Sequence, residues 1–563
     1  MTAADGVVPG FSACDLRTLG DRFGTPLYVV SLDRLREDAT RLASVLNPVG
    51  VRLLYSLKTN YLPAIVRSLA AEGLGVDVVS GYELRAALDC GVPGDRIVFN
   101  GPVKTEEELA EALQHGVFVN IDGAEEIRTL ARLAAERGTG PLPVGLRVYP
   151  PHNVFAEPGA LATRALPSKF GWPIATGAAD EIADRIMAEP LLRLTGVHCH
   201  LGSQIVRAEN LLAALDAVCA WTAHLRTRTA LTVLNIGGGF GVEGIHRTPG
   251  AIATLSAPPP AQTPQENAPA PPQHERPAHE RAVGANGQDA SAPSQRARPD
   301  PAGAVRADGR DDPVTSQRER ADRAGAVSAD GLNAPVPSQR ARPDLAGVAA
   351  GDGQDGSVAS QRERIDRAAA ARVGERDGAV ASLRRRFDVA LFAEGLAGVL
   401  HRHGLDDLMV FAEPGRALVS AAGVLLTRVV GRKDLGEHRW ILLDGGLSLM
   451  PTAGVAEKHG FVPLVPDDGR TRPCLVGGPL CYEGDVFGVG VELPEGLSAG
   501  DYVVVQDAGA YGFSRATSFN RLRPATVTVS GESVELAWEA ETYESLMSPA
   551  SPARPTVEGK GAR

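Results

Sequence analysis

The chain has 563 residues, of which 44% are hydrophobic and 22% are charged, as is ordinary for a soluble globular protein. Its formal net charge of −11 argues against a nucleic-acid partner, because phosphate binding requires a concentrated basic face. The six cysteines are scattered and form no CxxC pair, so they predict reduced thiols and exclude a disulfide framework or a zinc cage. With no signal-peptide pattern and no run of roughly 18 apolar residues, the sequence predicts a cytoplasmic protein that does not span a membrane.

The segment from about residue 25 to residue 240 alternates strand-like apolar runs with amphipathic, helix-like runs. Such alternation predicts an α/β fold with parallel strands and right-handed crossovers. Eight strand candidates that end in polar residues or glycine favour a TIM-like (β/α)8 barrel over an open sheet: PLYVVS, VRLLYSLK, GVDVVS, RIVFNGP, GVFVNID, VGLRVYP, LTGVHCHLG and TVLNIGGGF. Barrels place their chemistry at the C-terminal ends of the strands, where the sequence has Lys58, Ser80, Asn100, Asp122, His200 and Gly237.

From about residue 248 to residue 386 the composition shifts to proline, alanine, arginine, glutamine and aspartate, without a single aromatic residue between Phe240 and Phe387. A 22-residue repeat runs through this segment, with SQRARPD or a close variant starting at Ser294, Ser316, Ser338 and Ser360. A solenoid would need an apolar face for stacking, and these units have almost none. Without apolar area to offset chain entropy, the segment is predicted to be a disordered insertion in the barrel, with a docking arm as the alternative.

A helical pattern resumes in FDVALFAEGLAGVLHRHG, and the apolar run LMVFAEPGRALV follows it. Beyond about residue 421, short strands joined by turns predict a mostly-β C-terminal domain. The predicted organisation is a barrel formed by 26–247 and 387–420, the insertion 248–386, a β domain at 421–546 that residues 1–25 are candidates to join, and a disordered tail at 547–563.

Lys58 and a glycine triplet both follow predicted barrel strands. Lys58 ends the strand of VRLLYSLK, where desolvation would lower its pKa and favour the neutral amine that attacks an aldehyde. The alternative is an ordinary surface lysine. Gly237, Gly238 and Gly239 can aim successive backbone N–H groups into one concavity and so form an anion site. A tight turn is the alternative, and the nucleotide motif GxGxxG is not matched.

Two further clusters carry polar side chains. His198 and His200 lie two apart on a predicted strand, so both face one side, but no carboxylate or cysteine stands nearby at metal-ligand spacing, and we predict no metal. One imidazole could instead stack on a planar cofactor, and Ser203 could donate to a phosphate oxygen. Glu413 could keep a pyridine nitrogen protonated, and Arg416 suits phosphate or carboxylate. A structural ion pair at a turn is the alternative reading of this second cluster.

These motifs, in their order along the chain, resemble those of the barrel-type (fold type III) pyridoxal-phosphate-dependent family of ornithine, diaminopimelate and arginine decarboxylases, and most closely those of its diaminopimelate branch. In that family YSLKTN carries the lysine that binds the cofactor as a Schiff base, HCHLGSQI the histidine that stacks on its ring, and EPGR the glutamate on its pyridine nitrogen. VDVVSGYEL, which contains Glu83, and SKFG at 168–171 are further matches. The resemblance implies pyridoxal 5'-phosphate as cofactor, held by Lys58, Asp77, His200, Ser203, Gly237, Gly238, Gly239, Glu413, Gly415, Arg416 and Tyr511.

In the β domain, GPLCYEGD resembles the family segment that reaches into the partner subunit's site, which implies a homodimer with shared active sites. Cys481 would be the acid that returns a proton after carbon dioxide leaves, so the catalytic set is Lys58, His200 and Cys481. The small-molecule amino-acid substrate would be bound by Arg416, Tyr482, Glu483, Asp485 and Tyr511.

The resemblance implies a carboxy-lyase, with meso-diaminopimelate, decarboxylated to lysine in lysine biosynthesis, as the best single substrate. Diaminopimelate decarboxylases carry an Arg and a Tyr in a segment reading like RPALY after a DGG turn, whereas this chain has LDGGLSLMPTAGVAEKHG there. A glutamate that follows the family's cysteine is replaced by Tyr482. The alternatives are therefore a decarboxylase of another amino acid in secondary metabolism, then a racemase or an inactive regulatory relative.

Overall fold

The structure, a computed structural model, describes residues 10–138, 140–150, 168–243, 246–247, 387–453, 457–466 and 469–548. The predicted disordered insertion, residues 248–386, and residues 549–563 of the predicted tail lie outside these ranges. None of the helices within the described ranges has the length and apolar character needed to cross a membrane.

The strands are numbered along the chain as β1 Leu27–Ser31, β2 Val51–Ser56, β3 Gly75–Val78, β4 Ile97–Phe99, β5 Phe118–Ile121, β6 Leu142–Tyr149, β7 Trp172–Pro173, β8 Leu192–His198, β9 Val233–Asn235, β10 His246–Arg247, β11 Met409–Ala412, β12 Gly423–Leu435, β13 His438–Leu443, β14 Glu457–Lys458, β15 Phe461–Pro463, β16 Thr471–Gly477, β17 Val486–Pro494, β18 Tyr502–Val505, β19 Thr526–Ser530 and β20 Ser533–Trp538. The helices are α1 Ala13–Phe23, α2 Leu32–Leu46, α3 Pro63–Ala71, α4 Gly81–Asp89, α5 Glu106–Gln114, α6 Ala124–Arg137, α7 Ala178–Met187, α8 Ala208–Arg226, α9 Val389–Arg402, α10 Arg416–Val419 and α11 Tyr543–Met547.

Eight parallel strands close into a barrel, as the sequence predicted. Their order around the barrel is β2, β3, β4, β5, β6, β8, β9 and β11, and β11 pairs with β2 to complete the ring. The short β7 extends the sheet beside the end of β6. Helices connect successive strands, and apolar side chains from both form one large core. The C-terminal ends of the strands therefore meet around one opening.

The prediction that PLYVVS forms a barrel strand is wrong. Strand β1 is buried along its whole length and pairs antiparallel with β12 and parallel with β19, inside the C-terminal sheet. The eighth barrel strand is instead β11, which lies beyond the insertion. Two buried apolar runs have the same local pattern, and only their pairing partners distinguish them. The domain boundaries drawn from composition otherwise stay predictions.

Local capping fixes where several helices of the barrel begin. Helix α5 starts with a capping box, in which Thr105 accepts from the backbone N–H of Glu108 and the Glu108 side chain accepts from that of Thr105. Ser80, predicted from its place at a strand end, caps α4 by accepting from the Glu83 N–H at 3.5 Å. Asp122, also at a strand end, pairs with Arg147 at 3.0 Å. These residues shape the barrel rim.

The C-terminal domain is mostly β, as predicted, with strand order β17–β16–β13–β12–β1–β19–β20 and with β18 also pairing with β12. The domain contacts the barrel mouth through the segment after β18. There the backbone N–H of Tyr511 and the hydroxyl of Ser514 both donate to the carbonyl of Thr59, each at 2.9 Å. Asn60 donates to the carbonyl of Gly509 at 2.9 Å. The β domain is thereby attached beside Lys58.

Candidate active site

Lys58 lies in the turn directly after β2, and its ammonium group sits at the barrel mouth. Nζ donates to Ser56 Oγ at 2.8 Å and to Asp77 Oδ2 at 3.0 Å, while 33% of the Lys58 side chain is exposed to the cavity. The expectation that desolvation would lower the pKa of Lys58 is wrong. Burial acts in that direction and is the largest single effect, but Asp77, Tyr511 and Glu413 together outweigh it and raise the pKa of Lys58 above its ordinary value.

A buried polar network connects the Lys58 site with Glu413. Asn100 donates from one amide nitrogen to Asp77 Oδ1 at 2.6 Å and to Glu413 Oε1 at 2.7 Å. Asn235 donates to the same Glu413 oxygen at 2.7 Å. Asp77 and Glu413 are 0% and 2% exposed, so each carboxylate depends on these partners. Burial, followed by the charge of Glu413, raises the pKa of Asp77.

Two histidines flank Glu413. His198, at the end of β8, is buried with its Nε2 3.3 Å from Glu413 Oε1, and His200 Nδ1 lies 3.8 Å from Oε2. Burial would raise the pKa of Glu413, but His198 and then Lys58 lower it below its ordinary value. The backbone N–H of Gly238 donates to His200 Nδ1 at 3.2 Å, so that nitrogen carries no proton. Burial and the Lys58 charge lower the pKa of His200 to about 3, which keeps the imidazole neutral.

The glycine triplet forms a loop that packs against two neighbouring strand ends. A Cβ on Gly238 would stand 2.0 Å from the carbonyl oxygen of Glu413. Gly239 has φ +96°, and a Cβ there would stand 2.3 Å from the carbonyl oxygen of Gly202. Only glycine fits such approaches, so the loop can lie directly beside His200 and Glu413.

Arg416 begins α10 and is almost fully buried. Its Nη2 and Nη1 donate to the two oxygens of Glu457 at 2.6 and 3.2 Å, and its guanidinium stacks over the Tyr511 ring at 5.0 Å. Tyr511 has φ +61°, a conformation that non-glycine residues rarely adopt and that recurs at functional sites. Within the described residues, Arg416 Nε and Thr59 Oγ1 are buried without a hydrogen-bond partner.

Most of the predicted cofactor residues line one opening at the barrel mouth. A cavity of about 450 Å³ extends over Lys58, Asn100, Arg147, His200, Ser203 and Glu413. An adjoining smaller cavity reaches Gly239, Gly415, Arg416 and Tyr511. Asp77 lies just beneath, through its contact with Lys58. Within the described ranges, no three His, Cys, Asp or Glu side chains are grouped to hold a metal ion.

Apart from Tyr511, the predicted substrate residues of the β domain do not line these cavities. Cys481, Tyr482 and Glu483 are exposed, and none of them lines either cavity. Asp485 is buried, where it accepts from the backbone N–H of Leu447 at 2.7 Å and of Leu480 at 2.9 Å. Its carboxylate therefore shapes the loop that displays Cys481.

The residues present fit pyridoxal phosphate. The barrel mouth offers a lysine for an aldehyde carbon, a buried carboxylate for a pyridine nitrogen, and a glycine cradle with Ser203 for a phosphate. The unpaired donors of Arg416 Nε and Thr59 Oγ1 lie at this phosphate end. Fold and site together define the class of α/β-barrel enzymes that use a phosphorylated aldehyde cofactor.

Comparisons with known proteins agree with this class. Residues 32–254 match the family described as pyridoxal-dependent decarboxylase, pyridoxal binding domain. Diaminopimelate decarboxylase of Bacillus subtilis is 24% identical over 542 residues, 95% of this chain and 93% of that protein, and the one of Actinosynnema pretiosum is 28% identical over 94% and 89%.

Solved structures share the fold. Diaminopimelate decarboxylase of M. jannaschii superposes with a TM-score of 0.66 at 22% identity, covering 96% of this chain and 94% of that one. Lysine decarboxylase of Selenomonas ruminantium, solved with PLP and cadaverine, gives 0.58 at 22% identity, covering 93% and 94%. Residues 32–254 thus match the pyridoxal-binding domain of the pyridoxal-dependent decarboxylases, and the chain is a lyase that uses pyridoxal phosphate.

Sequence reasoning missed several residues of the site. Asn100 was placed at the barrel mouth without a role, and Asn235 and Ser56 were not singled out. Glu457 was not identified, because it lies 41 residues from Arg416 in a segment without a recognisable motif. The signal for Asn235 was its position at the end of β9, two residues before the glycine triplet.

Proposed function

We propose that this chain removes the α-carboxylate of a small amino acid, with Lys58 as the residue that holds pyridoxal phosphate covalently. The observation that carries the proposal is the buried network in which Lys58 and Glu413 are joined through Asp77 and Asn100. It sets an amine and a carboxylate in the lining of one cavity. Relatives over nearly the whole chain bear decarboxylase names, which supports the same activity.

When bound, pyridoxal phosphate supplies an electron sink for the pair left behind as the bond to the carboxylate breaks and carbon dioxide departs. The anionic Glu413, whose pKa lies below its ordinary value, would hold a proton on the pyridine nitrogen. His200, neutral because its pKa is about 3, would cover one face of the ring without adding charge. Ser203 and the glycine loop would hold the phosphate.

The proton that replaces the carboxylate needs a donor at the α-carbon. Lys58, with its raised pKa and its position at the cavity, could return one after release from the cofactor. We propose that Cys481 from a second copy of the chain is the principal donor, since Cys481 and Tyr482 are exposed on a loop held rigid by Asp485. The active unit would then be a homodimer.

Meso-diaminopimelate is the substrate that the named relatives favour. An amino acid of another kind is the second candidate, and a specific observation favours it: no Arg or Tyr closely follows Gly446, where diaminopimelate decarboxylases carry both. Both candidates use the same α-carbon chemistry and differ only at the far end of the molecule.

Carbon dioxide release by the purified chain with added pyridoxal phosphate tests the activity. The substrates would be meso-diaminopimelate, lysine, ornithine, arginine and glutamate. We expect turnover of at least one, together with a visible absorption band of bound cofactor that Lys58→Ala abolishes. A wild-type protein without this band after incubation with the cofactor would contradict the proposed role of Lys58.

A further inference from the structure

His198 is a buried polar side chain that the proposed function leaves without a role. It ends β8, is 1% exposed and lines the cavity of about 450 Å³ at the barrel mouth. Its Nδ1 has no hydrogen-bond partner among the described residues, and burying a polar atom in this way costs free energy. Its Nε2 faces Glu413. Within the described part of the chain, the contact with Glu413 is therefore the one hydrogen bond of this imidazole.

The two oxygens of Glu413 have different surroundings. Oε1 accepts from the amides of Asn100 and Asn235, each at 2.7 Å. Among the described residues, no amide donates to Oε2. His200 Nδ1 lies 3.8 Å from Oε2, but it accepts from the Gly238 N–H and so has no proton to donate. Oε2 is thus the oxygen that remains for the nitrogen of a bound ring.

His198 faces the carboxylate between its two oxygens. Nε2 lies 3.3 Å from Oε1 and 3.4 Å from Oε2 of Glu413, and we assign the proton to Nε2 because an ionised carboxylate only accepts. Within the described ranges, Nε2 is the single donor that reaches Oε2. Burial acts to raise the pKa of Glu413, and His198 is the largest of the influences that lower it. The imidazole thus stabilises the ionised carboxylate that a protonated ring nitrogen requires.

We propose that His198 is a positioning residue, which acts through Glu413 to direct one carboxylate oxygen at the pyridine nitrogen of the cofactor. This role rests on the proposed function, in which Glu413 pairs with that nitrogen. His198 lies opposite Asn235 in the register of β8 and β9, so the imidazole and the amide reach one carboxylate from adjacent strands. A rotated Glu413 would leave at least one of these buried donors unsatisfied, which is unfavourable.

A cofactor analogue without the ring nitrogen tests this role by binding alone. In the deaza analogue of pyridoxal phosphate a C–H group replaces the nitrogen, while the aldehyde and the phosphate remain. We would measure the Kd of the full-length protein for both compounds by equilibrium dialysis. Wild type should bind pyridoxal phosphate at least about 10-fold more tightly, because only a protonated nitrogen makes a charge-assisted hydrogen bond to Glu413.

His198→Asn and His198→Gln make a matched pair, because the amide of the first takes the place of Nδ1 and that of the second the place of Nε2. His198→Asn loses the donor to Glu413, so its preference for pyridoxal phosphate should fall to less than about 3-fold. His198→Gln should keep the wild-type preference within about 3-fold. In Glu413→Gln the preference should disappear, and adding His198→Asn should change nothing further. His401→Asn, at an exposed position on α9, is the control and should bind both compounds as wild type does.

An unchanged preference in His198→Asn, or an equal loss in His198→Asn and His198→Gln, would overturn the role of His198. A wild type that binds both compounds equally, or binds neither, would overturn it as well. If His198→Asn does not fold, His198→Leu takes its place with the same expectation, and unfolding of both would show a structural role instead. A preference that follows the expected pattern without carbon dioxide release would contradict the proposed function and leave the role of His198 standing.

Discussion

Asn100 uses one amide to join the two ionised ends of the site. Its nitrogen donates to Asp77 and Glu413, and its oxygen accepts from Asn120 at 2.8 Å. Both acceptors are buried carboxylates whose pKa values move in opposite directions, upward for Asp77 and downward for Glu413. An amide between them separates two like charges without adding a third. We therefore regard Asn100 as a positioning residue.

Asn100→Ala should reduce kcat by about 10- to 100-fold, because each buried carboxylate then loses a hydrogen bond worth about 1–3 kcal/mol. KM should change less than kcat, since Asn100 acts through Asp77 and Glu413. The pH dependence of the cofactor's visible band should shift as well. Asn120→Ala, which removes only the contact behind Asn100, is the control. A variant with normal kcat and an unshifted band would argue that Asn100 merely fills space.

Glu83 gives the barrel rim a pH-dependent stability. Burial raises its pKa from 4.5 to about 7, although its carboxylate accepts from the Val79 N–H at 2.9 Å. The folded state therefore binds more protons than the unfolded state between these two values. The stability that Glu83 contributes is complete below pH 4.5 and is lost as the pH rises through about 7.

The free energy of unfolding of Glu83→Gln, relative to that of wild type, should therefore increase by about 2 kcal/mol as the pH rises from 5 to 8. Urea unfolding at both pH values measures this difference. Glu394→Gln, an exposed position on α9, should show no such gain. If the difference in unfolding free energy between Glu83→Gln and wild type stayed constant across this range, Glu83 would be ionised throughout it in the folded protein.

At the scale of elements, the loop after β9 determines how closely three strand ends approach one another. Gly238 lies against the carbonyl of Glu413, which itself follows β11, and donates its N–H to His200 after β8. The loop thus holds together Glu413, the proposed partner of the ring nitrogen, His200, the proposed stacking imidazole, and the predicted phosphate site. Glycine is required at position 238 mainly because the loop approaches the Glu413 carbonyl so closely, and less because of the geometry of the turn.

Gly238→Ala should weaken pyridoxal phosphate binding by at least about 10-fold and destabilise the fold by about 1–3 kcal/mol, because the new methyl group meets backbone at 2.0 Å. Equilibrium titration of the cofactor band and urea unfolding would measure the two effects. Gly398→Ala on α9 meets nothing within 4 Å and should stabilise by about 0.5–1 kcal/mol. Equal effects at the two glycines would refute the close-approach argument.

At the scale of the whole molecule, one chain displays two separated halves of the proposed machinery. Lys58 faces the cavity at the barrel mouth, whereas Cys481 is exposed on the β domain and lines neither cavity. In the proposed twofold dimer, Cys481 of each copy would reach the cavity of the other, because isologous interfaces exchange the same contacts in both directions.

Lys58→Ala and Cys481→Ala should each lose most activity alone, yet regain about a quarter of wild-type activity when co-expressed. Random pairing makes half of the dimers mixed, and each mixed dimer contains one intact site. Carbon dioxide release and sedimentation of the mixture test this together. Lys58→Ala co-expressed with Asn100→Ala is the control. Each change alters the barrel cavity of the chain that carries it, so a mixed dimer has no intact site and should regain no activity. If Lys58→Ala and Cys481→Ala co-expressed form dimers but regain no activity, the proposal of shared active sites is wrong.

The sequence by itself determined the fold class and the kind of site, because local patterns of residues encode both. Periodic apolar runs predicted the barrel and the β domain, and both are present. Glycines, strand-end polar residues and a lysine predicted an anion site and an amine at the barrel mouth, and the family resemblance of these motifs then implied the cofactor. The order of the motifs along the chain indicated the family that the sequence resembles. The roles assigned to individual residues stay predictions.

Tertiary structure alone decided the rest. The pairing of β1 with β12 and β19, and of β11 with β2, depends on partners hundreds of residues away, which a local apolar pattern does not encode. The raised pKa of Lys58 depends on Asp77, Tyr511 and Glu413, which together outweigh the effect of burial. The pairing of Arg416 with Glu457 likewise arises only when β14 reaches the barrel mouth. Charge pairing in a buried site depends on the distance between the two groups, and for residues far apart in the sequence only the tertiary structure sets that distance.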